Sequence, residues 1–379
     1  MRVDVRPELL RWARERAGKD VRTLIRRFPQ LASWEEATSR PTLKQLERFA
    51  RATYTPVGYF FLPAPPDEPV PIPDFRTIGD AGQPRPSADL LDTIYVCQQR
   101  QEWYRDFAQV EGASPLAFVG SATLDSDVIG TAAQIRATLG FSVEERQTLP
   151  SWTEALRRFI GQAETSGLLV MVSGVVGTNT NRKLNPDEFR GFALADRYAP
   201  VVFINGADTK AAQLFTLAHE IAHIWLGQTA LSDVGPAAAP AHRVERWCNE
   251  VAAEILVPME LFRAVYNPDA DPRDEAQRLA RRFKVSTLVV IRRMRDAGGL
   301  SMDEFWEIFK AERERLLALP RSDGGDFYVT QPARLSKRFA RAIITSTLEG
   351  QTLHRDAFRL LGCSRMATFR EVAQVLGSG

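Results

Sequence analysis

His219-Glu220-Ile221-Ala222-His223 stands inside the segment DTKAAQLFTLAHEIAHIWLG, residues 208–227. On a helix of about 3.6 residues per turn, side chains four apart lie one above the other, so both imidazoles can reach one metal ion while Glu220 projects beside them. This is the HExxH arrangement of zinc hydrolases. The chemistry it predicts is hydrolytic. Zinc lowers the pKa of a water it holds to roughly 7, and the carboxylate takes a proton from that water and hands it to the leaving amine. The plain alternative is two histidines sharing a buried helix face, but the chain has only 4 histidines in 379 residues and half of them stand here.

Catalytic zinc takes a third protein ligand, and the candidates follow in HRVERWCNEVAAEILVP, residues 242–258, which reads as a helix stopping at Pro258. Glu245, Asn249, Ala252 and Leu256 fall on one stripe of it, at spacings of four, three and four. Glu245 is the expected ligand. Asn249, one turn on, can fix a ligating imidazole, and the small Ala252 and Ala253 let the two helices approach. His242 is the competing third ligand, at the end of the Gly/Pro/Ala-rich stretch 227–241, which reads as a loop and a candidate flap over the cleft. Glu250 and Glu254 fall off the stripe and read as a solvated face.

The surrounding elements must hold these residues. Within 208–227, Asp208 or Thr209 can cap the helix, Gly227 can end it, and Leu214, Leu217, Ile221 and Ile224 form its core stripe. Before it, GLLVMVSG (167–174), FRGFALAD (189–196) and APVVFING (199–206) are β-branched or aromatic runs punctuated by Gly, Asn, Asp and Pro, which predicts three strands of a small antiparallel or mixed sheet. Helices are expected over Ser87 to Ala108, over Trp152 to Thr165, in two pieces around Lys284-Val285-Ser286 within 277–295, and in a last module from Ala333 to Leu376 after the polar stretch Pro320 to Asp326. Near the N-terminus, PELLRWARERAG, Asp20 to Phe28 and TLKQLERFARAT read as helices, the last with Leu43, Leu46, Phe49 and Ala50 on one face. LPAPPDEPVPIP, residues 62–73, is half proline and reads as an extended tether.

Hydrophobic residues at 44% and charged residues at 25% are ordinary globular values, and 379 residues suffice for two or three domains. No window of 18 or more residues is apolar throughout, and Arg2 and Asp4 stand where a signal peptide needs its apolar run. A soluble, cytoplasmic protein without a membrane partner is the expectation. Cys97, Cys248 and Cys363 are far apart, with no CxxC, and read as buried thiols. The net charge of +2 hides an asymmetry: residues 1–60 carry 13 Lys/Arg against 7 Asp/Glu, which leaves the remainder near −4.

FTLAHEIAHIWLG followed by VERWCNEVAAEILVP resembles the ImmA/IrrE family of zinc metallopeptidases, in which HExxH is followed by E-x-x-x-N-x-x-A-x-x-L-x-P. Carried over by residue, the resemblance implies a zinc ion held by His219, His223 and Glu245, with Glu220 as general acid and base. Two positions after Glu245 the family often has an acid; Trp247 stands here, which removes a competing ligand. LARRFKVSTLVVIRRM is similar to the helix-turn-helix-like part that follows the peptidase core, and Val285, Leu288, Val289 and Ile291 mark it as structural. LRWARERAG, WEEATSRPTLKQLERFA and TPVGYFFLP resemble the Xre-type helix-turn-helix of phage repressors. Between Leu24 and Glu35 only ten residues remain, about three fewer than such repressors have, and the loss falls on the recognition helix. Arg22, Arg26, Arg27 and Arg40 could still hold phosphates of DNA, or a protein partner.

The implied fold is α+β and mainly helical: a zincin-like peptidase core, with a three-stranded or larger sheet and the HExxH helix, between N-terminal and C-terminal helical modules. The expected divisions are 1–61 (Xre-like), 62–75 (linker), 76–265 (peptidase), 266–320 (helix-turn-helix-like) and 321–379 (C-terminal helices). The implied function is site-specific cleavage of a regulatory protein, a repressor or the PIN-type toxin of a two-gene module. The competing class is a non-catalytic antitoxin or DNA-binding regulator. The intact Glu220 favours the first, since a structural zinc site needs no carboxylate base.

Overall fold

The three apolar runs become strands of one sheet in a computed structural model that describes residues 1–75, 85–232, 242–318 and 334–377. The strands are β1 (Leu169–Ser173), β2 (Val175–Val176), β3 (Asn179–Lys183), β4 (Gly191–Leu194), β5 (Val201–Asn205) and β6 (Ala230–Leu231). The main sheet has the order β1-β5-β4-β6. β1 pairs parallel with β5, in register Met171 to Phe203, while β4 lies antiparallel to β5 and to β6. The sheet is therefore mixed. β4 and β5 are buried throughout, which explains why both read as continuous apolar runs and not as alternating ones. Two features escaped the reading: β6 is two residues long, and the separate β2–β3 hairpin is made largely of the exposed polar run NTNRK, which has no apolar alternation.

Helix Lys210–Leu226 carries the histidines and packs on β4 and β5. Thr209 caps it by accepting from the Ala212 amide at 3.3 Å, whereas Asp208 turns to Arg190 at 3.5 Å. Gly227 ends it in the left-handed region at φ 67°, and a Cβ there would also meet Gly120 Cα at 2.9 Å, so glycine is needed on two grounds. Leu214, Leu217, Ile221 and Ile224 are all buried, as their spacing requires. Helix Arg243–Leu256 runs along this helix, and Val128–Leu139 and Trp152–Thr165 complete its surroundings.

Glu254 corrects the sequence reading. It is buried, paired with Arg293 at 2.6 Å, and accepts from the Met259 amide at 3.2 Å. The face of helix Arg243–Leu256 that looked solvated meets a third helix, Thr287–Asp296, and the periodicity of one helix cannot reveal a second neighbour. Glu250 is exposed as expected. Helices Pro272–Phe283 and Thr287–Asp296 are joined through Lys284, itself left-handed at φ 53°, and Val285, Leu288, Val289 and Ile291 pack inside. Helices Met302–Leu317, Lys337–Leu348, His354–Leu361 and Met366–Val375 follow. Cys97 and Cys248 are buried thiols, while Cys363 is only half-buried. Pro320 to Asp326, the start of the last module at Ala333, and most of the candidate flap lie outside the described residues.

The described residues group into two compact units, the first within Met1–Pro71 and Ile78–Tyr95, the second within Ile72–Thr77 and Val96–Gly379. In the first, helices Pro7–Arg16, Val21–Ile25, Leu31–Glu35 and Leu43–Ala52 enclose Leu9, Leu10, Trp34, Leu46 and Phe49. Thr42 and Gln45 form a reciprocal cap at the start of the last of these. Leu43, expected on its buried face, is 40% exposed because it sits in the first turn, before the helix reaches the core. Arg16 pairs with Glu68 of the proline-rich segment. Among the described residues, no helix is long and apolar enough to cross a membrane.

Candidate metal centre

His219 and His223 lie one turn apart, with their Nε2 atoms 3.1 Å from each other. Glu245 sits in the first turn of helix Arg243–Leu256, where the helix dipole favours a carboxylate. Its oxygens stand 3.3 Å from His219 Nε2 and 3.0 Å from His223 Nε2. All three side chains are fully buried, and one ligand atom from each lies within 4.8 Å of the others. Asn249, one turn beyond Glu245, places its Oδ1 3.0 Å from His219 Nδ1. An amide oxygen only accepts, so the Nδ1 proton points at Asn249 and the Nε2 lone pair faces the cluster.

Lone pairs this close, on side chains buried from solvent, repel one another unless a positive charge lies among them. Both Glu245 oxygens are buried and face the two Nε2 atoms without a donor of good hydrogen-bond geometry. Two imidazole nitrogens and a carboxylate are a donor set that zinc accepts. The residues therefore fit the metal. The ionisation balance points the same way. Burial pushes Glu245 up, but His219 and His223 pull its carboxyl well below the usual carboxylate range. Burial lowers His223; for His219 burial does the same, but the Glu245 charge outweighs it and the net shift is upward.

Glu220 projects beside the cluster and is also fully buried. Burial pushes its carboxyl up to about 8, against the pull of His219 and of the Ser232 hydroxyl, which donates to Oε2 at 3.1 Å. Gly191 of β4 makes room for it: a Cβ there would stand 2.5 Å from Thr216 Cγ2, 2.8 Å from Phe203 O and 3.2 Å from Glu220 Oε1. His242 is not among the groups that converge. It is exposed, immediately before helix Arg243–Leu256, with its ring 5.3 Å from that of Phe75.

Residues 163–295 match the model of the M78 peptidase family, the IrrE N-terminal-like domain. The match spans the sheet, the HExxH helix and the helix of Glu245, and it supports a metallopeptidase-type function with a zincin-like core. Residues 335–374 match a domain of unknown function, DUF8813. No curated protein matches the chain. Within the M78 match, sequence reasoning passed over Ser232, Gly191 and the Glu254–Arg293 pair. A glycine inside an apolar strand run is a signal for close backbone approach and could have pointed to Gly191; a lone serine after a two-residue strand carries no such signal. The basic candidates Arg22, Arg26, Arg27 and Arg40 lie in the first unit and are exposed, Arg40 standing 3.6 Å from Asp4.

Proposed function

We propose that this chain is a zinc-dependent endopeptidase that cleaves a regulatory protein at one site, with zinc held by His219, His223 and Glu245. The observation that carries the reading is the convergence of these three buried side chains beside a fourth, Glu220, that no structural metal site requires. Bound there, zinc would supply Lewis acidity toward the scissile carbonyl and the attacking water. Glu220 takes the proton of that water and delivers it to the leaving amine. Asn249 holds the tautomer and ring orientation of His219. Ser232 keeps Glu220 turned toward the cluster.

Chelation tests this directly. Metal-free protein, verified by elemental analysis, is expected to lose cleavage of a proteome-derived peptide library, and an equivalent of zinc per chain to restore it. Undiminished cleavage after complete metal removal would refute a metallopeptidase.

The basic first unit, in the same reading, recruits the protein substrate and does not read an operator. Major-groove readout needs a helix whose first turns reach base edges. The corresponding helix, Leu31–Glu35, is five residues long and turns Leu31 and Trp34 into the core. Exposed Arg22, Arg26 and Arg27 suit phosphates or an acidic protein face equally. Deleting residues 1–66 is expected to cripple cleavage of the full-length partner while sparing a short peptide that spans the site, through lost local concentration. An operator bound roughly a thousandfold more tightly than random DNA at physiological salt would make the unit a repressor domain instead.

A further inference from the structure

A peptidase must admit a peptide, yet His219, Glu220, His223 and Glu245 are each 0% exposed. Phe75 lies over His223, with ring planes 7° apart and centroids 6.4 Å apart, and also touches the exposed His242. Backbone pairing holds it there. The Phe75 amide donates to Leu231 O at 2.9 Å, and the Leu231 amide donates to Pro73 O at 2.8 Å. Asp74 and Leu231 form a parallel bridge, and Ile72 is buried just before it. Pro73 to Phe75 is thus a short strand added to β6, the edge strand of the main sheet.

An edge strand offers unpaired N–H and C=O groups to any extended chain, which is how many proteins hold peptides. Here the offer is taken up by the chain's own segment, on the edge next to the converging ligands. Pro73 has no N–H to donate, so this strand cannot extend its backbone ladder on β6 as a continuous peptide could. Such a strand can exchange for a longer one.

We propose that Pro73-Asp74-Phe75 occupies the place of a substrate strand on β6. The site then takes an extended peptide with a large apolar side chain where Phe75 lies, and it opens when this segment leaves. The proposal rests on the metallopeptidase reading for the identity of its ligand and on the β6 pairing for its mechanism.

The test uses the full-length chain as wild type, Phe75→Ala and Phe75→Leu. Phe75 is only half-buried, so its truncation leaves the core intact, and Phe75→Leu retains an apolar cover if Phe75→Ala does not fold. Zinc transfer to a colorimetric chelator is expected to be at least tenfold faster in Phe75→Ala, with Leu near wild type, and amide exchange at Leu231 to accelerate in parallel. A synthetic peptide of residues 69–77, PVPIPDFRT, should slow the transfer from Phe75→Ala back toward the wild-type rate. Equal transfer and equal Leu231 exchange in wild type and both variants would overturn the proposal. A wild-type chain that binds no zinc would instead sink the metallopeptidase reading. The cover is then decided by diethyl pyrocarbonate labelling of His223, read by peptide mass spectrometry: tenfold faster labelling in Phe75→Ala upholds it, and equal labelling removes it.

Discussion

Glu220→Gln is expected to keep its zinc and its fold while losing peptide-bond cleavage by roughly two to four orders of magnitude, the usual contribution of a positioned acid-base group. The fold survives for a local reason. The amide is the same size as the carboxyl and fits the same buried space beside Gly191 and Thr216. Ser232 can still donate to the Gln oxygen as it does to Oε2. Zinc survives because Glu220 is not one of the three converging groups. Cleavage does not survive, since an amide cannot take the proton of the attacking water. The measurements are metal content, thermal midpoint and cleavage of a peptide library by the same preparation. Cleavage within tenfold of wild type would remove Glu220 from the chemistry; loss of zinc would make it a ligand.

Glu245→Ala is expected to lower zinc content from one per chain to near zero, with affinity weakened by well over about a hundredfold, since even changes to groups behind the ligands cost about 10–100-fold. Two nitrogens 3.1 Å apart then remain, without the anion that offsets the charge of the metal. His242→Ala is the control. Its ring lies beside Phe75, outside the converging set, and its loss should leave zinc in place. Stability gives a second readout: a ligand that binds only the folded chain raises the midpoint by mass action, so added zinc should raise the melting temperature of wild type and His242→Ala but not of Glu245→Ala. Zinc lost from His242→Ala and kept by Glu245→Ala would reverse the assignment of the third ligand.

Much of this site could be read from spacing. A four-residue repeat on a helix is a distance, so His219 and His223 were bound to share a face once the segment was helical, and the capping and apolar stripe of 208–227 made it so. The stripe Glu245, Asn249, Ala252 and Leu256 was legible for the same reason, and all four residues are buried. The three strand runs were legible because buried strands need β-branched and aromatic residues between turn formers. Periodicity describes one element and the side it buries; it does not say what arrives on the other side.

What the sequence left open came from elements far apart in the chain. Glu254 looked solvated until helix Thr287–Asp296 brought Arg293 to it. Ser232 reaches Glu220 only because β6 pairs with β4, and Gly191 matters only because the HExxH helix crosses that strand closely. Phe75, in a segment that read as a tether, lies 148 residues before His223, and two hydrogen bonds to Leu231 place its ring over that histidine. Spacing along the chain determined which side chains can share one helical face; that Glu245 and not His242 stands beside the two histidines, and what covers the cluster, came from packing, because only packing sets the distance between residues on different elements.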